Sequence, residues 1–309
     1  MQYVLNKALG NEVSRISFGG ASLSGEGAGY GFGNISSNES IDLLHKSIDF
    51  GINIIDTAPI YGFGESEIRI GKAIKDRREK VSIISKSGVT WHENMRVDMT
   101  NNPKVALFQL EESLRRLNTD YIDIYMVHWP DKNIDLLETL EVYIAAQKAG
   151  KIKHIGLCNT TNSEIIKAKE VCNIDVIQSE VNLFNNQITH LDNSQDAVTM
   201  SWGTFDKGII TGSVTKDRKF EKSDCRSWAP WWKKSNWKDK VDKISRLEEF
   251  VKTTDFNLLS FALGYNLEFV DTATCGFKND LQLNQILNAM DSLPSIDLIK
   301  KGMKYAGIS

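Results

Sequence analysis

Asn53-Ile54-Ile55-Asp56-Thr57-Ala58-Pro59-Ile60-Tyr61-Gly62 begins as an apolar strand and ends in a turn marked by proline and glycine. Asp56 therefore closes a strand at its carboxyl end, with Tyr61 on the loop beyond. Two other stretches have the same form. Val81-Ser-Ile-Ile-Ser-Lys86 ends an apolar run on a lysine, and Tyr125-Met-Val-His128 ends one on a histidine. Polar side chains that each follow an apolar strand share one rim if the strands are parallel and close into a barrel, and that rim is where barrel enzymes carry their chemistry.

Outward from these three, short runs rich in Val, Ile and Tyr alternate with longer amphipathic stretches, the rhythm of parallel α/β folds. Strands are expected at residues 13–19, 53–57, 81–86, 121–128, 152–158, 176–180, 197–202 and 269–274, with helices such as 37–50, 103–117, 135–149, 163–171 and 238–253 between them. Eight βα units predict a (β/α)8 TIM barrel over residues 1–309 as a single domain. The rhythm alone also fits an open doubly wound sheet. Two stretches break it. Residues 19–33 hold seven of the 22 glycines, and residues 203–238 exceed the usual βα connection of about 2–6 residues, which marks a functional loop.

Composition narrows the function classes. With 41% hydrophobic and 25% charged residues and a net charge of -3, nothing supplies the basic surplus that a phosphate backbone demands, so no nucleic-acid partner is expected. No run of about 18 apolar residues occurs, and residues 1–10 lack a basic segment followed by an apolar one, so no membrane partner and a cytoplasmic location are expected. Cys158, Cys172, Cys225 and Cys275 form no CxxC pair and are read as thiols; His45, His92, His154 and His190 show no metal-binding spacing, so no metal site is expected.

Gathered at one rim, Asp56, Tyr61, Lys86 and His128 support one kind of chemistry. A tyrosine with an ordinary pKa of about 10 is a poor proton donor at neutral pH unless a cation stabilises its phenolate. Lys86 can supply that charge, Asp56 can hold Lys86 protonated and aimed, and His128 can hydrogen-bond a substrate oxygen or help pass the proton. Such a group makes a carbonyl more open to hydride attack.

At this point the chain resembles the aldo-keto reductase family. The family's D-T-A-x-x-Y-G-x-x-E is similar at every fixed place to Asp56-Thr57-Ala58-Pro59-Ile60-Tyr61-Gly62-Phe63-Gly64-Glu65, and Ser85-Lys86 and His128-Trp129-Pro130-Asp131 follow in order. The resemblance implies a catalytic tetrad of Asp56, Tyr61, Lys86 and His128, with Tyr61 as general acid, and NADP(H) bound extended across the barrel mouth, NAD being the alternative. No G-x-G-x-x-G is present, in keeping with a nucleotide site that is not a Rossmann fold.

Carried over residue by residue, the resemblance assigns Cys158, where the family has serine, with Asn159 and Gln178 to the nicotinamide carboxamide, and Trp202 to stacking on its ring. Gly203, Thr204, Phe205, Lys207 and Gly208 correspond to the pyrophosphate loop, with Gly20 and Ala21 as further cofactor contacts. Gly276, Lys278, Gln282 and Gln285 look like the adenosine 2′-phosphate grip at a helix start, although the family's Glu-Asn pair here reads Gln285-Ile286. Lys278 is the clear positive charge there.

All seven tryptophans follow or end an expected strand, and none falls in an expected outer helix. Trp91, Trp129, Trp228, Trp231 and Trp232 are candidate substrate contacts, because an indole face suits a sugar ring; the alternative is that the long loop packs a small core of its own. The chain ends about 15 residues after the last helical pattern at Ser292, so a long carboxyl-terminal loop over the site is expected to be missing and the pocket open. The expected function is NADP(H)-dependent reduction of an aldehyde or ketone, with a keto-sugar as one such substrate. The alternatives are a sugar dehydrogenase running the reverse reaction and a nicotinamide-binding redox sensor or auxiliary subunit. Oligomeric state is not readable.

Overall fold

In several barrel strands an inward-facing apolar residue is followed two places on by a functional side chain at the carboxyl end, and this alternation builds both the core and the site. The computed structural model describes residues 1–6, 8–25, 29–186 and 196–308; Gly27 of the glycine-rich loop and His190 lie outside them. Eight strands, β3 (Ile16–Gly19), β4 (Ile54–Asp56), β5 (Ser82–Ser87), β8 (Ile122–Val127), β9 (Ile152–Cys158), β10 (Val176–Asn182), β12 (Val198–Trp202) and β13 (Thr272–Cys275), pair in parallel in that order. The pairing of β13 with β3 closes a (β/α)8 TIM barrel, and the open doubly wound sheet is ruled out.

Ile54, Ile84, Ile124, Met126, Val176, Val198 and Met200 fill the interior as one cluster. Because side chains alternate at a period of two, the residue two places beyond each lower filler also points inward. Ile54 thus leads to Asp56, Ile84 to Lys86, Met126 to His128, Val176 to Gln178 and Met200 to Trp202.

The opposite end is plugged by a hairpin of β1 (Tyr3–Asn6) and β2 (Asn11–Ser14), whose Val13 joins the interior cluster. The single strand expected over residues 13–19 is therefore two, parted at Arg15. A second hairpin, β6 (Val89–Trp91) with β7 (Val97–Met99), rises from the rim after β5. A short β11 (Asn185–Asn186) folds back on β10.

The helices α1 (Ser37–Asp49), α2 (Glu65–Ala73), α3 (Pro103–Leu117), α4 (Leu136–Lys148) and α5 (Asn162–Lys169) bury an apolar face against the strands, and capping boxes at Ser36 and Thr161 start α1 and α5. The helix expected at residues 238–253 is α7, but its surroundings depart from expectation. The long loop carries its own helix α6 (Pro230–Lys234) and ends where α7 (Trp237–Val251) begins, so Trp231, Trp232 and Trp237 are helical. A further helix, α8 (Leu258–Phe269), precedes β13. It is apolar on nearly every side, as a buried helix can be, and it takes up the start of the strand expected at residue 269. After α9 (Asp280–Asp291), the stretch beyond Ser292 forms α10 (Ile296–Ala306), which packs on α7.

Candidate active site

A cavity of about 1600 Å³ opens at the carboxyl rim, with Asp56, Tyr61 and His128 in its wall. Lys86 lies beneath them, only 1% exposed, its Nζ donating to Asp56 Oδ1 at 2.5 Å and to the Thr57 carbonyl at 2.9 Å. Burial works to lower the lysine pKa, but the Asp56 carboxylate, helped by Tyr61 and Cys158, outweighs it and raises it, so Lys86 is cationic at neutral pH. The Lys86 Nζ stands 5.5 Å from the centre of the Tyr61 ring.

Tyr61 itself departs from the simple expectation. Burial raises its pKa, and the Lys86 charge only partly draws it back, so the phenol stays protonated. His128 meets the Tyr61 ring edge to face at 5.9 Å; burial, and then Lys86, hold its pKa well below the usual histidine value. The imidazole is therefore neutral, one nitrogen donating and the other accepting. A protonated phenol over a fixed cation, beside a neutral imidazole, can give a proton to an oxygen that is gaining charge.

Next to this group lies a chain of hydrogen bonds. Trp202 Nε1 donates to Asn159 Oδ1 at 2.9 Å, Asn159 Nδ2 donates to the His128 carbonyl at 2.9 Å, and Cys158 Sγ donates to Gln178 Oε1 at 3.3 Å. Burial pushes the Cys158 thiol up to about 12, which keeps it protonated and a donor. Gln178 Nε2 is buried in the cavity wall without a hydrogen-bond partner among the described residues. An orphaned buried donor is costly unless a ligand satisfies it, and a carboxamide oxygen does so; the residues present fit a nicotinamide.

Gly203, Thr204, Phe205, Lys207 and Gly208 line the cavity beyond Trp202. Asp206, Lys207 and Gly208 all take positive φ, of 39°, 57° and 94°, a sharp bend closed by Asp206 N–H donating to the Gly203 carbonyl at 2.7 Å and Gly208 N–H to the Phe205 carbonyl at 2.9 Å. Partly buried ion pairs hold the bend: Lys207 Nζ reaches Glu180 Oε1 at 2.8 Å and Asp206 Oδ1 at 3.0 Å, and Lys240 Nζ reaches Asp206 Oδ2 at 2.6 Å. Ala21, Gly276, Lys278, Gln282 and Gln285 line the far end.

Three of the expected contacts lie elsewhere. Gly20 is not in the cavity wall; a Cβ there would come within 2.7 Å of the Asp56 carbonyl, so its small size serves strand packing. Trp91 stacks on Phe63 at 5.1 Å, and Trp228 meets Tyr30 edge-on at 5.1 Å, which turns both indoles outside the cavity lining. Trp129, Trp231 and Trp232 do line it, with Trp232 stacked on Trp237 at 5.4 Å in a small aromatic core. Sequence reading missed Tyr30, Ile60, Val89, Val97 and Met99, which form the wall near Tyr61. The alternation of Val89-Thr-Trp and Val97-Asp-Met about a polar turn was the available sign of the hairpin.

The model of the Aldo/keto reductase family matches residues 15–301. An aldo-keto reductase of Bacillus subtilis, YhdN, is 34% identical over 82% of this chain and 77% of its own length. The NADH-specific methylglyoxal reductase of Escherichia coli is 27% identical over 77% of this chain and 78% of its own. Among solved structures, a glycerol dehydrogenase from Gluconobacter oxydans, 26% identical, superposes with a TM-score of 0.82 over 98% of this chain and 94% of that one.

Proposed function

This chain belongs to the aldo/keto reductase family, and from that premise we propose that it reduces an aldehyde or ketone bearing an apolar or aromatic group, taking hydride from NADPH and its proton from Tyr61. The observation that carries the reading is the buried Asp56–Lys86 pair under a protonated Tyr61 and a neutral His128, with Asp56, Tyr61 and His128 opening on one cavity.

When bound, the nicotinamide supplies the hydride. Gln178 would satisfy its carboxamide with the orphaned Nε2, Trp202 would stack on its ring, the bend at residues 203–208 would offer N–H groups to the pyrophosphate, and Lys278 with Gln282 would face the adenosine end. His128 donates a hydrogen bond to the carbonyl oxygen and fixes its direction. As that oxygen gains charge, the proton on the Tyr61 phenol oxygen moves to it. The phenolate left behind faces the Lys86 cation, which Asp56 keeps charged, and it is reprotonated from water.

The substrate class follows from the wall beside Tyr61, where Tyr30, Ile60, Val89, Val97, Met99 and Trp129 offer apolar surface. Sugar hydroxyls would be left unpaired against such a wall. This favours an apolar carbonyl over the keto-sugar, whose support came partly from Trp91 and Trp228. The test is a binding titration with NADPH and NADH, followed by turnover of simple aromatic and aliphatic carbonyls, free sugars and nucleotide-linked keto-sugars. Tighter NADPH binding and turnover of the apolar set are expected; turnover confined to sugars would overturn the substrate reading.

A further inference from the structure

The far end of the cavity holds three cations, and their partners divide them. Arg226 is committed: its Nε and Nη2 donate to Asp224 at 2.9 and 2.6 Å, and its Nη1 donates to the Lys207 carbonyl at 2.6 Å. Lys278 Nζ donates to the Phe32 carbonyl at 2.8 Å and so ties the glycine-rich loop to α9's start. Arg218, on the long loop, lines the same cavity and has no ion pair or side-chain hydrogen bond among the described residues. Its loop neighbour Lys216, by contrast, pairs with Asp242 at 2.6 Å.

We propose that Arg218 is a specificity-determining residue that pairs with the adenosine 2′-phosphate and sets the preference for NADP(H) over NAD(H). The inference rests on the nucleotide reading above and adds a residue that neither the motif nor the helix start identifies. Burial works against the Lys278 charge, Asp224 and Glu221 support it, and Arg226 and Arg218 oppose it, which sets Arg218 within electrostatic reach of Lys278. A guanidinium presents a fork of donors that matches phosphate oxygens in pairs, and Arg218 has that fork free. NAD carries only a neutral hydroxyl at the same place, so the pairing acts on one nucleotide and not on the other.

The experiment compares 2′,5′-ADP with ADP, and NADPH with NADH, by calorimetric and fluorescence titration of wild type, Arg218→Ala and Arg218→Lys. Arg218→Ala is expected to weaken NADPH and 2′,5′-ADP by about tenfold while leaving NADH and ADP within about twofold, and Arg218→Lys to recover part of the loss. Because Arg218 touches no structural partner, the thermal midpoint of both variants stays at the wild-type value. If the wild type shows no preference for the phosphorylated nucleotides, the nucleotide reading fails and this inference with it. If the wild type prefers them and Arg218→Ala keeps the same ratio, or weakens NADH equally, the inference alone is overturned.

Discussion

Tyr61 is held between two influences, burial that raises its pKa and the Lys86 charge that lowers it, and burial is the larger. The proton is therefore present on the phenol when a carbonyl arrives, and Lys86 acts on the product of transfer rather than by ionising the resting residue. Tyr61→Phe removes the proton and leaves the ring, so kcat is expected to fall by about 10²–10⁴ with the NADPH dissociation constant unchanged. Steady-state turnover beside a fluorescence titration checks this, and undiminished turnover would remove Tyr61 from the mechanism. Asp56 matters differently. Asp56→Asn strands a cation that is 1% exposed and is expected to cost about 3–5 kcal/mol of stability in urea unfolding. The double variant with Lys86→Met should be less destabilised than Asp56→Asn alone, since it buries no charge. Asp56, Lys86 and His128 were legible in sequence because each stands two places beyond an apolar filler on a strand, a relation that fixes direction. The placing of Trp91 and Trp228 outside the cavity lining was not legible, because an aromatic on a loop carries no such period, and only packing on Phe63 and Tyr30 decides where the indole points.

Among the elements, the barrel strands were read nearly to their ends, because short β-branched runs bounded by turns have few other uses. The connections were not. Three helices, α6, α7 and α8, stand between β12 and β13 where one was expected; α6 is a single short turn of the long loop, and α8 is apolar on almost every side and lacks the one-sided stripe that marks a surface helix. The bend after β12 shows how a connection acquires a task. Three successive positive φ angles at Asp206, Lys207 and Gly208 are a strained arrangement, held by Glu180 and Lys240 from either side. At Gly208, φ is 94° and an added Cβ would meet Arg226 Nη1 at 3.2 Å. Gly208→Ala is accordingly expected to destabilise the chain by about 1–2 kcal/mol and to weaken NADPH binding while leaving the Tyr61 group unaltered. A variant that melts as wild type and binds NADPH equally would show that the bend does not need its glycine.

At the scale of the whole molecule, the same burial that tunes the site shapes stability against pH. Tyr61, Tyr125, Tyr143, Lys86 and the Cys158 and Cys275 thiols all have raised pKa values in the fold. A raised folded-state pKa gives stability that is present below the unfolded value and lost as pH rises through the folded one, so the alkaline limb has many contributors. No single substitution should flatten it. The acid side is simpler. His128 has a depressed folded pKa, so its contribution is complete above the unfolded value of about 6.5 and is lost as pH falls through the folded one. The carboxylates whose pKa values are lowered, Glu39, Asp98, Glu112 and Asp135, release their share only below the ordinary carboxylate range, which leaves pH 6.5 down to 5 to the histidine. Urea unfolding across that interval is expected to show stability falling by up to about 1.4 kcal/mol per pH unit, the value for one proton taken up on unfolding. His128→Gln keeps a hydrogen-bonding side chain without the titration, so its stability should be level over the same interval. An equal slope in the variant would mean that another group binds the proton and that His128 is not held neutral by the fold.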